Sequence, residues 1–198
     1  MPTVAQIENA DPLSAAQAVR LIAAIRASAH YRDNRASYPD LQATINGKVG
    51  KRKTITGATN ASPIVITATA HGFAAGDAVT VQSVNGNTAA NNTWIVGSVT
   101  TNTLELVGST GNAAYTSGGE IIDLASQHLS AVVDALDALG DGTVAIQGGR
   151  DALDYDQSRD REALIAEVLD LLYSAEDAGA VVAVGQRGAS SSSCCSGL

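Results

Sequence analysis

The chain is short of the residues that mark most specialised proteins. Its two cysteines, Cys194 and Cys195, are adjacent in a serine-rich tail. Neighbouring cysteines bridge each other only with strain, so no disulfide framework is expected, and the pattern fits synthesis in a reducing cytosol. Aromatic residues make up 4% of the sequence, with one Trp and one Phe, although 45% of it is hydrophobic. Alanine and glycine fill much of that share. The expected cores are therefore thin, and thin cores favour assembly with other chains as a source of stability. No apolar run approaches the roughly 18 residues needed to span a bilayer. Residues 1–30 lack the basic start and apolar core of a secretion signal. No membrane partner is expected.

Catalytic signatures are missing too. There is no Gly-x-Ser-x-Gly elbow and no glycine-rich phosphate loop followed by Lys. Of the three histidines, His30, His71 and His128, the last two have no carboxylate at a known metal-ligand spacing. His71 sits in a turn and is read as a structural hydrogen-bonding residue. Asp151, Asp154, Asp156 and Asp160 lack the fixed spacing and central glycine of a calcium loop. A solvated first turn at a positive helix N-terminus explains them equally well. The sequence thus offers no catalytic residue, no metal ligand and no cofactor site, and an enzyme is not expected.

What the chain does have is an uneven charge. Its net charge is −8 and its pI about 4.7, which argues against a dominant, sequence-specific nucleic-acid surface. Residues 1–53 carry 8 Lys/Arg and 4 Asp/Glu. Residues 54–123 carry no Lys or Arg and 4 Asp/Glu, and residues 124–198 carry 4 Lys/Arg and 12 Asp/Glu. Two readings stay open: copies that meet head to tail, basic segment against acidic segment, or a solvated acidic helical face. The most basic run, Lys48-Val49-Gly50-Lys51-Arg52-Lys53, is either a contact to an acidic partner or DNA, or a solvated linker. It lacks the interleaved aromatics that stack on bases.

Between Lys53 and Ile122 the pattern is all β. Ile64–Ala68, Ala78–Gln82, Thr93–Thr100 and Thr103–Val107 are rich in Val, Ile and Thr, which suit a pleated, half-buried surface. Asn60-Ala61-Ser62-Pro63, His71-Gly72, Gly76-Asp77, Asn85-Gly86, Asn91-Asn92 and Gly118-Gly119 supply the turns. Thr101-Asn102 has the spacing of a two-residue hairpin loop. Five or six strands in this length predict a small barrel or sandwich, with Trp94 in its core.

The ordered series Ile55 to Pro63, Thr69-Ala70-His71-Gly72-Phe73, Gly76-Asp77-x-Val79, Asn91-x-Thr93-Trp94, Thr101-Asn102-Thr103-Leu104-x-Leu106 and Tyr115-Thr116-Ser117-Gly118-Gly119 resembles a small β-module recurrent in bacteriophage virion proteins, often in tails. That module is similar to the first catalytic-cysteine half-domain of ubiquitin-activating enzymes. The resemblance covers about a third of the chain. It implies a binding or structural module. The half-domain does not itself hold the reactive cysteine, and no Cys lies between Lys53 and Ile122, so no ubiquitin chemistry carries over.

Helical patterns flank this stretch. Residues 1–10 read as extended and mobile. Asp11-Pro12 reads as a helix start, with Val19, Ile22, Ile25 and Ala29 on the inner stripe of a helix ending near His30. A short helix with Leu41 and Ile45 on one face stops at Gly47. Asp123 is a suitable cap for a helix over 124–139, whose stripe is Leu129, Val132, Val133, Leu136 and Leu139. Thr143–Gln147 reads as a short strand or extended link. A last helix lies between Arg150 and Ala175, with Leu164, Val168, Leu171 and Ala175 as stripe and Ile165, Leu169 and Leu172 widening it. So broad a face suggests a partner subunit. Ala180–Val184 is an apolar run suited to adding a strand to a sheet edge, in its own or another chain. Residues 185–198 are low-complexity and expected to be disordered alone.

The expected organisation is an α+β fold: a small helical bundle built from both termini with an inserted all-β barrel or sandwich. The segments are 1–52 helical, 53–122 the β-module, 123–178 helical, completing the bundle, and 179–198 an extended or disordered arm. The expected role is a non-enzymatic virion structural protein, made in the host cytoplasm. Within the virion it is a head–tail connector (adaptor or neck) component forming a homo-oligomeric ring with portal, neck or tail proteins. Capsid decoration, a tail or baseplate place, and more distantly a carbohydrate- or receptor-binding module are the alternatives. Candidate interface residues are Leu169, Leu172, Val181, Val182, Val184, Lys51, Arg52 and Lys53.

Overall fold

The computed structural model of the chain describes residues 2–139 and 152–173. It is a mixed α+β fold. The helices are α1 (Val4–Glu8), α2 (Ala15–Ala27), α3 (Ala29–Asp33), α4 (Leu41–Asn46), α5 (Leu124–Ala138) and α6 (Ala152–Tyr173). The strands are β1 (Arg52–Thr54), β2 (Gly57–Ala58), β3 (Ile64–Thr67), β4 (Ala78–Asn85), β5 (Asn92–Val99), β6 (Thr103–Leu106) and β7 (Ser117–Asp123). Thr143–Gln147, Ala175 and the segment 179–198 lie outside the described residues.

The strands form one antiparallel seven-stranded sheet in the order β1-β7-β4-β5-β6-β3-β2. A barrel or sandwich is expected from the sequence, and a closed barrel is not what forms. The two edge strands, β1 and β2, pair with β7 and β3 and not with each other. Instead the single segment 52–58 serves both edges: the Ile55 N–H donates to Gly119 O at 2.9 Å and the next residue, Thr56, donates to Thr67 O at 2.8 Å. The sheet curls to allow this. A register shift between β5 and β6, from Val96 to Val99, marks the bend. The loop between those strands is Thr100–Asn102, one residue longer than the two-residue hairpin expected. In β3 and β6 buried and half-buried residues alternate, as a pleat with one face on a core demands. Ile55, Ile64, Ile66, Phe73, Val81, Leu104, Leu106 and Ile121 fill that core. Trp94 lies at its margin, half-buried, with the indole N–H donating to Ala90 O at 2.8 Å. Gly119 has φ +97, and a Cβ there would sit 2.6 Å from the Val84 side chain, so β7 passes β4 more closely than any other residue allows.

Helices from both sides of the strands share a second core. Leu13, Ala18, Leu21, Ile22, Ile25, Leu41 and Ile45 pack with Leu129, Val132, Val133, Leu136, Leu164, Ile165, Val168 and Leu169. The α2 stripe is therefore Ala18, Leu21, Ile22 and Ile25. Val19, expected on it, points outward and is 69% exposed. The helix starts at Ser14, not Asp11: Ser14 and Gln17 form a reciprocal capping box. Leu13, just before the cap, is fully buried. The helix expected to end near His30 stops at Ala27, and α3 follows it through Asp33, because the extended Ser28 caps a fresh turn. Residues 1–10 are likewise not an extended arm over their described part. Thr3 and Gln6 make a second capping box, and Ile7 packs against Leu124 and Ala131.

Candidate functional site

The centre of the molecule is α5. Asp123, at the end of β7, caps it by accepting from Ser126 N–H at 3.0 Å. Residues Ser126 to Val133 are all buried, so this helix is covered nearly all round, as only a central helix can be. Four of the buried residues are polar, and each ties down a different element. Ser126 Oγ donates to Lys48 O at 2.6 Å and accepts from Leu13 N–H at 3.0 Å. Gln127 Nε2 donates to Glu8 O and Ala10 O, both at 3.0 Å, which pins the N-terminal helix. His128 Nε2 meets Glu167 Oε1 of α6 at 2.9 Å. Ser130 Oγ accepts from Gln17 Nε2 at 2.9 Å. A buried polar group without a partner costs about 1–3 kcal/mol. These residues therefore fix where the surrounding elements lie.

Beside α5 the basic run meets the sheet. Lys51 Nζ lies 3.1 Å from Asp123 Oδ2 and 3.3 Å from Asp77 Oδ2, and Lys48 Nζ is 3.6 Å from Asp123. The Phe73 ring covers Lys51, its centroid 5.4 Å from Nζ. Burial alone would lower the Lys51 pKa, but Asp123 and then Asp77 outweigh it and hold it above the ordinary lysine value. Arg52 is paired with Asp11 at 2.6 Å and Glu120 at 3.2 Å. Lys51 and Arg52 thus join helices to sheet within the chain, and are neither a solvated linker nor a free cationic patch. Lys53 is exposed and has no ion pair among the described residues.

The other candidates fall as follows. Leu169 is 0% exposed and Leu172 9% exposed. Both belong to the helical core of their own subunit. The breadth of the α6 face is explained by its neighbours α2 to α5, so these two leave the list of interface candidates. Val181, Val182 and Val184 lie outside the described residues.

His71 is structural by geometry. Its Nδ1 accepts from the Phe73 N–H at 3.0 Å, so Nε2 carries the proton and donates to Thr100 O at 2.8 Å and Thr103 O at 3.2 Å. One buried imidazole thereby fixes the 71–73 turn against the β5–β6 loop. His71→Ala is expected to lower stability by about 2–4 kcal/mol, since it strands a buried N–H and two carbonyls. Chemical denaturation measures this, and a loss under about 1 kcal/mol would show that water replaces the ring.

Two surface features had no counterpart in the sequence reading. The first is the outer face of α2, where Ala16, Val19 and Ala23 are exposed in line. Its signal was present: Ala18, Leu21, Ile22 and Ile25 follow the i, i+3, i+4, i+7 rule and leave Val19 off the stripe. The second is a groove over α3, α4 and the end of α2. It is built around Tyr38, whose ring lies 6.1 Å from Tyr31 and 5.3 Å from Tyr173 and whose hydroxyl meets His30 Nε2 at 2.9 Å. Burial, then the Asp170 carboxylate, push that hydroxyl above its usual pKa. Among the described residues no group of three or more His, Cys, Asp or Glu side chains is placed to hold a metal ion, and no helix is long and apolar enough to cross a membrane. No protein-family model matches the chain, and no curated protein sequence matches it.

Proposed function

We propose that this chain is a non-enzymatic structural subunit of a bacteriophage-type virion, acting in a ring at the head–tail junction. One observation carries the reading: the residues that make up the resemblance to the virion β-module are those that hold its turns. His71 locks one turn. Asp77 accepts from Ala74 N–H at 2.9 Å in the next. Asn91 both donates to and accepts from the Val84 backbone. Asn102 accepts from the Ala70 N–H at 2.9 Å, and the Thr103 N–H donates to Thr100 Oγ1 at 3.0 Å across the β5–β6 loop. Tyr115 donates to Gly118 O and Ile55 O. A series used in this way supports a scaffold that is kept for its shape. The helical segments 1–52 and 123–178 form the body in this reading, and 53–122 is the inserted module.

Assembly uses the outer face of α2 against the acidic helical surface of a neighbouring copy. Apolar burial supplies most of the affinity, and the charge polarity sets orientation and on-rate. Val19→Asp is expected to leave the subunit folded, with stability within about 0.5 kcal/mol because the site is exposed. The same change should abolish incorporation into particles. Particle composition by mass spectrometry and ring imaging by electron microscopy test this. Normal incorporation of the Val19→Asp subunit, or isolated single copies in the native particle, would overturn the ring.

A further inference from the structure

An asparagine side chain is open to attack by the backbone nitrogen of the next residue when three conditions hold. Its amide must be free to turn, the next residue must bring no Cβ into the way, and that residue's N–H must be free of hydrogen bonds. Every asparagine except Asn46, Asn60 and Asn85 has its side chain in a hydrogen bond. Asn60 precedes Ala61, whose methyl group hinders the attack. Asn46 precedes Gly47, but the Gly47 N–H is engaged, donating to Ala43 O at 2.9 Å.

Asn85 meets all three conditions. It is exposed, and its side chain has no hydrogen bond among the described residues. Gly86 follows it, at φ +82. The Gly86 N–H donates to nothing among the described residues. Asn85 is also the last residue of β4. The peptide group it shares with Gly86 is tied to the sheet through Thr116 N–H, which donates to Asn85 O at 3.0 Å, and strand ends open more readily than strand centres. Gly86 itself is packed tightly: a Cβ there would collide with Ala114 O and lie 2.9 Å from Thr116 N. The next residue, Asn87, is fully buried and latches two other loops. It donates to Thr59 O at 2.8 Å and accepts from Asn112 N–H at 3.1 Å.

We propose that Asn85 is a site of spontaneous deamidation, and that its isoaspartate form unlatches the loops held by Asn87. The Gly86 nitrogen gives up its proton and bonds to Asn85 Cγ. The Cγ–Nδ2 bond breaks, and ammonia leaves with a proton in place of the one given up. Water then opens the cyclic imide at either carbonyl carbon. Breaking the new bond at Cγ gives aspartate. Breaking the bond at the main-chain carbon gives isoaspartate, whose backbone runs through Cβ and Cγ and is longer by a methylene. The sum is a water consumed and an ammonia released, with no change of oxidation state. The added length drives Gly86 against Ala114 and pulls Asn87 off Thr59 and Asn112. The site stands apart from the ring reading, because it concerns one chain alone.

The test ages the full chain at mildly alkaline pH, once folded and once in guanidinium chloride, and follows each asparagine by peptide mass mapping. In denaturant both Asn-Gly pairs are free, so Asn46 and Asn85 should convert at similar rates. In the folded chain Asn85 should convert several-fold faster than Asn46 and than every other asparagine. The aged protein gains a negative charge and separates from the parent by anion exchange. In its isoaspartate fraction the amide signals of Thr59, Asn87 and Asn112 should move. In Asn85→Asp, which adds the charge without the length, they should stay near the parent's. A folded chain in which Asn85 converts no faster than Asn46 would overturn the site. An isoaspartate form with parent-like signals at Thr59 and Asn112, or an Asn85→Asp variant that moves them as far, would overturn the unlatching.

Discussion

Leu169→Asp is expected to unfold the helical part of the subunit, whatever the state of assembly. Leu169 has no exposed surface and lies in the core shared by α2, α4, α5 and α6. Truncating such a leucine to alanine costs about 2–5 kcal/mol. Aspartate adds a carboxylate with no partner in an apolar site, which raises the loss to a large part of the 5–15 kcal/mol that a whole domain typically holds. Leu172, at the margin with 9% of its surface exposed, should cost less as Leu172→Asp. Far-ultraviolet circular dichroism and urea unfolding of the isolated subunit measure both. A Leu169→Asp subunit of native helicity, with stability within about 1 kcal/mol of the parent, would contradict the packing described. The contrast with Val19→Asp, expected to spare the fold, makes the pair diagnostic.

Asp123 carries the second large effect. Its carboxylate caps α5 through one oxygen and faces Lys51 and Lys48 through the other, with 2% of its side chain exposed. Asp123→Ala loses a cap worth about 1 kcal/mol and leaves part-buried Lys51 with Asp77 alone. Removing one partner of a buried ion pair costs about 3–5 kcal/mol. Because a quarter of the Lys51 side chain is exposed, the expected total is near the lower end, about 3 kcal/mol. Asp123→Asn keeps the cap, since Asn caps as well as Asp, so the difference between the two variants isolates the charge. The same pair predicts an alkaline limit. Lys51 holds its proton more tightly folded than unfolded, its pKa standing above 10.5 in the fold. Its stabilising contribution is complete below that ordinary value and is lost as pH rises through the higher folded one. The Tyr38 hydroxyl, raised above 10.0, acts in the same direction. Urea midpoints taken from about pH 8 to about pH 11 should therefore fall at the alkaline end. They should fall less steeply in Asp123→Asn and in Tyr38→Phe. An Asp123→Asn curve parallel to the parent's would show that Asp123 does not set the Lys51 proton.

Where one local rule governs, the sequence was readable. β-branched runs located β3 to β6, because side-chain shape acts over two to four residues; β1, β2 and β7 went unread, and Gly118-Gly119, expected as a turn, lies inside β7. Asp123 as cap and Gly47 as stop held for the same reason. Failures came where distant packing decides. Nothing local says that Ser126, Gln127, His128 and Ser130 lie inside, since their partners are in segments far away in sequence. The breadth of the α6 face was legible; that its cover belongs to the same chain was not, because that depends on how α2 and α4 fold back. Val19 was misplaced by one step of the helical period, a shift of about 100°. The anchoring of Lys51 and Arg52 needed Asp77, Asp11 and Glu120, brought together only by the sheet. The groove at Tyr38 needed the end of α6 beside a loop from the other end of the chain.

The pairing of β1 with β7 reaches beyond strand order. The Asp123 N–H donates to Lys51 O at 2.9 Å, so everything from residue 52 to residue 122 starts and finishes at one point. Seen from the helices, that long excursion is topologically a tight turn. Their packing neither stretches nor shifts to accommodate it, and its loop-closure entropy is removed once the strands pair, where a floppy insertion would cost about 0.6 kcal/mol more for each doubling of length. Such a stem makes the excursion portable. Only its contacts near that point, such as Asp77 with Lys51 and Thr93 with Glu8, tie the excursion to the helices.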